Sequence, residues 1–202
     1  MRITGGYYKG RTILCPPGVI RPAMDRMRES LFAILGDLTG CSFLDLHSGS
    51  GAVGIEAASR GAEPVVFVEK DPGKRQVLLR NTSMVTQARQ VHILPAERFV
   101  SRFAGRAGRA SAGMGAGLPG SFDLVFLDPP FRQKGTAELV ALIVERGVLA
   151  AGGLLLAHLP REDLLPERLA GLALADRRDY GRSVVLFYRR AGAGTEGEPG
   201  AM

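Results

Sequence analysis

The sequence predicts one α/β domain: a Rossmann-like, mostly parallel sheet of seven strands with helices on both faces, plus a small N-terminal β-hairpin extension. Its 202 residues suit a single hydrophobic core, because longer chains usually divide into several domains. Continuous apolar runs alternate with helical patterns, which is typical of parallel strands buried on both faces. Ligands of such sheets bind at the carboxyl ends of the strands, so functional motifs are expected directly after them.

The first 24 residues are predicted to be a basic extension of short extended pieces and turns. Residues 1–30 carry six Lys or Arg side chains and two Asp or Glu, which is +4 of the whole chain's net charge of +6. Neutralised phosphates supply most of the sequence-independent affinity for nucleic acid. The local charge therefore suggests a polyanionic partner, with a merely solvated basic surface as the alternative.

The main domain is predicted over residues 25–190. Its first helix begins at Asp25, since Met27, Leu31 and Leu35 follow at helical spacing. Strands and helices then alternate along the chain. The predicted strands are 42–46, 65–69, 91–94, 122–127, 153–158, 173–178 and 183–188, and the later helices are 52–60, 71–85 and 136–146.

Composition excludes several classes of protein. Hydrophobic residues make up 46% of the chain and charged residues 23%, as in folded proteins. Two segments are exceptions. Residues 104–121 are predicted to be a flexible Gly/Ala-rich loop, and residues 191–202 are predicted to be a disordered tail. No apolar stretch reaches the roughly 20 residues that cross a bilayer, so we expect a cytoplasmic protein with no membrane contact. Two cysteines and three scattered histidines lack metal-binding spacing, so no metal is expected.

A glycine-rich turn follows the first main strand. Gly49, Gly51 and Gly54 spell G-x-G-x-x-G, and Glu69 ends the next strand, where a carboxylate can bind ribose hydroxyls. NAD, S-adenosylmethionine and a purely structural turn are the three interpretations. Asp45 favours S-adenosylmethionine, because a buried carboxylate needs a partner that an ammonium group supplies, whereas it would repel a pyrophosphate.

A second motif, Asp128-Pro129-Pro130-Phe131, follows the fourth main strand. Its prolines fix the backbone and remove two amide donors, which leaves the Asp128 carboxylate and the Pro129 carbonyl as acceptors. Two acceptors suit the two N–H groups of an amino group on a base that stacks on Phe131, and the nitrogen can then attack a sulfonium methyl group. A base inside folded nucleic acid must be flipped out or already unpaired for this chemistry.

Both motifs occur together with a set of N-terminal residues. The chain carries Met1-Arg2-Ile3, Gly6, Tyr8-Lys9-Gly10-Arg11, Arg21-Pro22, Asp25-Arg26, Arg28-Glu29, Leu31-Phe32, Leu44-Asp45-Leu46, Gly49-Ser50-Gly51, Phe67-Val68-Glu69 and Asp128-Pro129-Pro130-Phe131. This set resembles the RsmD family of bacterial 16S rRNA guanine-N2 methyltransferases over roughly residues 1–190. The N-terminal block is its most family-specific part.

The resemblance implies a class I methyltransferase fold, S-adenosylmethionine as cofactor, and a guanine of 16S rRNA in an assembled or nearly assembled 30S subunit as substrate. We expect the enzyme to be a monomer. The candidate cofactor-binding residues are Asp45, His47, Ser48, Gly49, Ser50, Gly51, Glu69, Lys70 and Glu97; the candidate catalytic residues are Asp128, Pro129, Pro130 and Phe131; the candidate RNA-binding residues are Lys9, Arg11, Arg21, Arg26 and Arg28.

Two positions depart from the family pattern. His47-Ser48 stands where the family usually has an aromatic and a small residue. Pro95 stands where the family usually offers an Asp to the adenine amino group, and Glu97 lies two residues further on. Glu97 is therefore the candidate for the adenine contact.

Other functions stay open at this point. A DNA adenine-N6 or protein glutamine methyltransferase uses the same amino chemistry, although the chain lacks an additional target-recognition domain for duplex DNA. A non-catalytic RNA-binding assembly factor could keep the fold, but the intact motif at Asp128 argues against loss of chemistry. An NAD-dependent oxidoreductase would need a Tyr-x-x-x-Lys or His/Arg pair that the sequence does not offer.

Overall fold

The computed structural model describes residues 1–15, 22–103, 117–131 and 134–190. Arg21, most of the predicted flexible loop (104–116) and the predicted tail (191–202) lie outside these residues. The strands are β1 (Phe43–Leu46), β2 (Val65–Glu69), β3 (Arg89–Ile93), β4 (Phe122–Leu127), β5 (Leu149–Pro160), β6 (Arg168–Leu169), β7 (Leu172–Tyr180) and β8 (Ser183–Arg190).

All eight strands form one sheet in the order β3-β2-β1-β4-β5-β8-β7-β6. The first five strands of this order are parallel, and β8, β7 and β6 continue it antiparallel. The Rossmann-like methyltransferase sheet predicted from the sequence is therefore present, with one strand more than the seven expected. The additional strand, β6, has two residues and is too short to show an alternating pattern.

Five α-helices of the described residues pack on this sheet. They are α1 (Pro22–Leu35), α2 (Ala52–Ser59), α3 (Arg75–Thr82), α4 (Ala96–Arg102) and α5 (Thr136–Glu145). The predicted helix at 71–85 is shorter than expected, because Asp71 caps a separate 3₁₀ turn at Pro72–Lys74 with its side chain bound to the Gly73 N–H. Sequence reasoning missed α4, whose seven residues offer barely two turns of pattern.

The helices cover both faces of the sheet and form two hydrophobic cores. One core joins α1, α2 and α3 to residues such as Phe43, and the other joins α4 and α5 to residues such as Leu44. Adjacent residues of β1 thus enter opposite cores, as the pleat requires. Leu118, at the end of the predicted flexible loop, packs against the second core, so this end of the segment is attached to the domain.

The N-terminal extension, predicted as short extended pieces and turns, contributes to the first core. Ile3, Tyr8 and Ile13 are at most 1% exposed. The expected β-hairpin is reduced to a single antiparallel bridge between Arg2 and Thr12. Residues 1–15 are therefore packed onto the domain as a compact turn structure.

A buried ion-pair cluster fixes the extension to α2. The Glu56 carboxylate is fully buried and accepts hydrogen bonds from the backbone N–H groups of Thr4 at 2.9 Å and Gly5 at 2.9 Å. It also faces the Arg28 Nε at 3.4 Å. Arg28, itself 2% exposed, donates to the Arg2 carbonyl at 2.7 Å. This burial does not fit the expected contact of Arg28 with RNA; Arg28 instead joins the extension to α2 and lines the cavity described below.

Candidate active site

One cavity of about 540 Å³ opens at the carboxyl ends of β1, β2 and β4, where ligands of parallel sheets bind. Its volume lies in the range of small-molecule sites, about 300–1,000 Å³. The glycine turn, the end of β2 and the Asp128–Phe131 motif line it together. Met1, Cys15 and Met27 line it as well, so the extension and α1 form part of the wall.

The glycine turn leads from β1 into α2. Gly49 and Gly51 adopt left-handed backbone angles, with φ of 56° and 80°, which glycine adopts without strain. A side chain on Gly51 would also place its Cβ 2.8 Å from the Leu78 Cδ1 atom. Gly51 itself does not line the cavity, whereas Gly49 and Ser50 do. The turn therefore brings backbone close to a ligand while α2 begins behind it.

Glu69 lies at the end of β2 and is 4% exposed. Its Oε2 atom accepts from the Gly49 N–H at 2.8 Å and its Oε1 atom accepts from the Asp71 N–H at 2.9 Å, while Lys74 Nζ lies 3.7 Å from Oε2. These contacts fix both oxygens at the cavity wall. Each carboxylate oxygen has a further lone pair, so Glu69 can accept two hydroxyl donors. Lys70, next to it, is exposed and lines the cavity.

Asp45 lies in β1 and is 1% exposed. Its Oδ2 atom accepts a hydrogen bond from the Gly54 N–H at 3.0 Å. Burial raises the pKa of Asp45 to about 8, with smaller contributions from the charges of Asp128 and Glu69, and the Gly54 hydrogen bond opposes the shift. A cation in the cavity would favour the ionised carboxylate.

Ser48 and His47 complete the turn. The Ser48 hydroxyl donates to the Asp45 carbonyl at 2.6 Å and accepts from the Val68 N–H at 3.0 Å, so it connects β1 to β2 besides lining the cavity. His47 has a left-handed φ of 64°, and burial lowers the pKa of its ring. Its buried Nε2 atom has no hydrogen-bond partner among the residues that the structure describes.

Glu97 does not fit the predicted adenine contact. It is an exposed residue in the first turn of α4, and it is absent from the cavity wall. Its charge acts on His47 from outside the cavity, where it favours protonation of the ring and so opposes the lowering of the His47 pKa by burial. Glu97 therefore lies outside the wall that Asp45, Gly49 and Glu69 line.

The Asp128–Phe131 motif lines the same cavity from β4. Leu127 pairs with Ala157 in the parallel register of β4 and β5, so the next residues, Asp128 and His158, are neighbours. The His158 Nδ1 atom lies 2.8 Å from the Asp128 Oδ1 atom, and the ring of Phe131 meets the histidine ring edge-on at 5.7 Å. His158 is the site residue that sequence reasoning missed, and the strand register is the signal that identifies it.

The candidate RNA-binding residues differ in exposure. Lys9, Arg11 and Arg26 are exposed, and the Arg11 guanidinium lies 5.3 Å above the ring of Tyr8.

Within the described ranges, no helix is long and apolar enough to cross a membrane. Within the same ranges, the His, Cys, Asp and Glu side chains form no group of three or more that could hold a metal ion.

Comparisons with known proteins identify the family of this chain. The family described as conserved hypothetical protein 95 matches residues 1–189. YlbH of Bacillus subtilis, provisionally named an rRNA methyltransferase, is 35% identical over 95% of this chain and 100% of its own. Ribosomal RNA small subunit methyltransferase D of Escherichia coli K12 is 33% identical over 96% of this chain and 92% of its own.

The fold has solved relatives too. The Escherichia coli protein yhhF, provisionally described as a methyltransferase, superposes with a TM-score of 0.79 at 30% identity, over 94% of this chain and 97% of its own. Sequence and fold thus agree along nearly the whole length of the chain. The chain belongs to the family described as conserved hypothetical protein 95, whose named relatives make it a member of the RsmD methyltransferases.

Proposed function

We propose that the protein transfers a methyl group from S-adenosylmethionine to the exocyclic N2 amino group of a guanine in 16S rRNA. One observation carries this function: the acceptor pair formed by Asp128 and Pro129 shares a single cavity with the carboxylates of Asp45 and Glu69. The first pair suits a planar amino group, and the carboxylates suit a cationic nucleoside. The name of the E. coli relative, a small-subunit rRNA methyltransferase, supports the RNA substrate.

The residues of the cavity fit S-adenosylmethionine. Glu69 can accept the two ribose hydroxyls, since both of its oxygens are fixed by backbone N–H groups. Asp45 is buried in the cavity wall, forms no ion pair with the residues that the structure describes, and can pair with the ammonium group of the amino-acid end. When bound, S-adenosylmethionine supplies a methyl group activated by a sulfonium centre.

The chain's own residues orient the acceptor. The two N–H groups of the guanine amino group would donate to the Asp128 carboxylate and the Pro129 carbonyl, whose residues line the cavity. Phe131, on the same wall, offers a ring for stacking. Hydrogen bonds to both hydrogens turn the nitrogen lone pair out of conjugation with the base and toward the methyl group. Asp128 can then take the proton that the nitrogen must lose.

The RNA would be held outside the cavity. Lys9, Arg11 and Arg26 are exposed basic residues of the extension and α1, and they can neutralise phosphates of the flanking backbone. We propose that the substrate is the assembled or nearly assembled 30S subunit, modified in the cytoplasm by a monomer. Arg28 is not part of this surface, because its guanidinium is buried against Glu56.

Transfer of a labelled methyl group tests this function. Unmodified small subunits, protein-free 16S rRNA and DNA are incubated in parallel with the protein and labelled S-adenosylmethionine, and the modified nucleoside is identified by mass. We expect N2-methylguanosine from the small subunits. Methylated adenine from DNA, or no transfer despite measurable cofactor binding, would contradict the proposal.

A further inference from the structure

We infer that His158 is a positioning residue for methyl transfer, because it holds Asp128 so that one carboxylate oxygen is reserved for the substrate amino group. This role rests on the proposed function of the Asp128 motif. His158 lies in β5, outside both sequence motifs, and its ring lines the cavity beside Asp128 and Phe131.

The hydrogen bond between the two side chains has a defined direction. His158 Nδ1 and Asp128 Oδ1 are 2.8 Å apart, and the histidine side chain is 3% exposed. A carboxylate only accepts hydrogen bonds, so the hydrogen lies on Nδ1. The Nε2 atom of the ring is buried and has no hydrogen-bond partner among the described residues. The contact with Asp128 is therefore the polar interaction that determines the orientation of the ring.

This hydrogen bond sets the orientation of the acceptors offered to the substrate. With Oδ1 of Asp128 engaged by His158, the Oδ2 atom of Asp128 and the carbonyl of Pro129 remain for the amino group. A guanine amino group has two N–H donors, so donors and acceptors match. Without the Nδ1–H donor, the carboxyl group could rotate about χ2, and a misplaced acceptor lowers the rate of an aligned transfer.

The position of His158 is fixed by the sheet and by the motif itself. The parallel pairing of Leu127 with Ala157 sets the two strands in register. The Phe131 ring contacts the histidine ring at an interplanar angle of 70°. His158 thus touches both the acceptor carboxylate and the aromatic residue expected to stack on the base, and it can keep their separation constant.

The transfer step balances without a proton moving to or from His158. The N2–carbon bond forms as the carbon–sulfur bond breaks, and the electrons of the broken bond stay on sulfur. The nitrogen then carries one proton too many, which passes to the Oδ2 atom of Asp128 and later to solvent. His158 keeps its Nδ1 hydrogen throughout, and it acts by holding the carboxylate.

Two amide substitutions separate this role from packing. In His158→Asn the amide nitrogen takes the place of Nδ1, whereas in His158→Gln it lies one atom further along the side chain. We expect the Asn variant to keep kcat within about 3-fold of wild type, and the Gln variant to lose about 10- to 100-fold, the range seen when a hydrogen bond that orients a metal ligand is removed. The KM for S-adenosylmethionine should stay unchanged in both.

His158→Leu and His92→Leu serve as further variants. The Leu substitution at 158 should lower kcat as the Gln substitution does, while His92, a half-buried histidine of β3 away from the cavity, should be replaceable without effect on kcat. Unchanged kcat in His158→Gln, or equal losses in the Asn and Gln variants, would overturn the inference. A wild-type protein that methylates no RNA would instead overturn the proposed function, so the two failures are distinguishable.

Discussion

The cofactor half and the acceptor half of the cavity are held in place by different means. In the cofactor half, backbone N–H groups bind the carboxylates: Gly49 and Asp71 bind Glu69, and Gly54 binds Asp45. In the acceptor half, the side chain of His158 binds Asp128. A backbone donor is removed only by a substitution to proline, so other substitutions leave the donors of the first half in place, whereas a change of the His158 side chain removes the donor of the second half.

This contrast predicts separate effects on binding and on chemistry. Residues of the cofactor half should control the affinity for S-adenosylmethionine, and residues of the acceptor half should control the rate once the cofactor is bound. The exposed basic residues of the extension lie outside both halves and should control the affinity for RNA. Four variants follow in decreasing order of expected effect: three test this division, and Asp45→Asn tests the charge state of the cofactor half.

Asp128→Ala should give the largest effect. It removes the carboxylate that orients the amino group and accepts its proton, and we expect kcat on small subunits to fall by about 1,000-fold or more. Affinity for S-adenosylmethionine, measured by isothermal titration calorimetry, should stay within about 3-fold of wild type. Retained transfer by Asp128→Ala would refute the assigned role, and a large loss of cofactor affinity would refute the separation of the two halves.

Asp45→Asn should remove a pH dependence of stability. Because burial raises the pKa of Asp45 to about 8 in the folded protein, above its ordinary value near 4, the neutral form is favoured by folding. The raised pKa of Asp45 therefore adds to the free energy of unfolding. This addition is fully present below about pH 4 and is lost as the pH rises to about 8. Urea unfolding of the apo protein should show wild type losing a few kcal/mol relative to Asp45→Asn across this range. A difference in the free energy of unfolding between wild type and Asp45→Asn that does not change with pH would contradict the raised pKa.

Glu69→Ala should weaken cofactor binding without slowing the chemistry. Loss of two hydrogen bonds to a carboxylate should raise the Kd for S-adenosylmethionine by about 100-fold, with kcat at saturating cofactor near the wild-type value. Glu63→Ala is the matched control, because Glu63 is an exposed glutamate just before the other end of β2. A fall in kcat with unchanged Kd would mean that Glu69 belongs to the acceptor half.

The double substitution Lys9→Ala and Arg11→Ala should give the smallest effect. Removing two phosphate contacts should raise the KM for small subunits by about 3- to 10-fold near 0.1 M salt and make it less dependent on salt. The kcat and the Kd for S-adenosylmethionine should not change. Equal KM values for variant and wild type at low salt would place the RNA on another surface.

The features that the sequence predicted are local ones. The glycine turn and the motif at Asp128 each lie in a few consecutive residues, and both line the cavity. The strands of the sheet were predicted because continuous apolar runs identify them, whereas β6, with two residues, and α4, with seven, are too short to show a period.

The features that the sequence did not predict depend on tertiary pairing. His158 reaches Asp128 only because β4 and β5 are adjacent and in register, and nothing near His158 in the chain indicates this. Arg28 was expected to contact RNA from its charge, yet the buried Glu56 carboxylate that pairs with it comes from α2. Charge alone does not distinguish a surface arginine from a buried, paired one.

A crystal structure of the protein with S-adenosylhomocysteine tests most directly whether one cavity holds the cofactor and the acceptor group together. The expected result has the ribose hydroxyls on the Glu69 carboxylate, the ammonium group beside Asp45, and the sulfur atom facing Asp128 and Pro129. A nucleoside bound away from Glu69, or a sulfur atom directed away from Asp128, would contradict the division of the cavity into a cofactor half and an acceptor half.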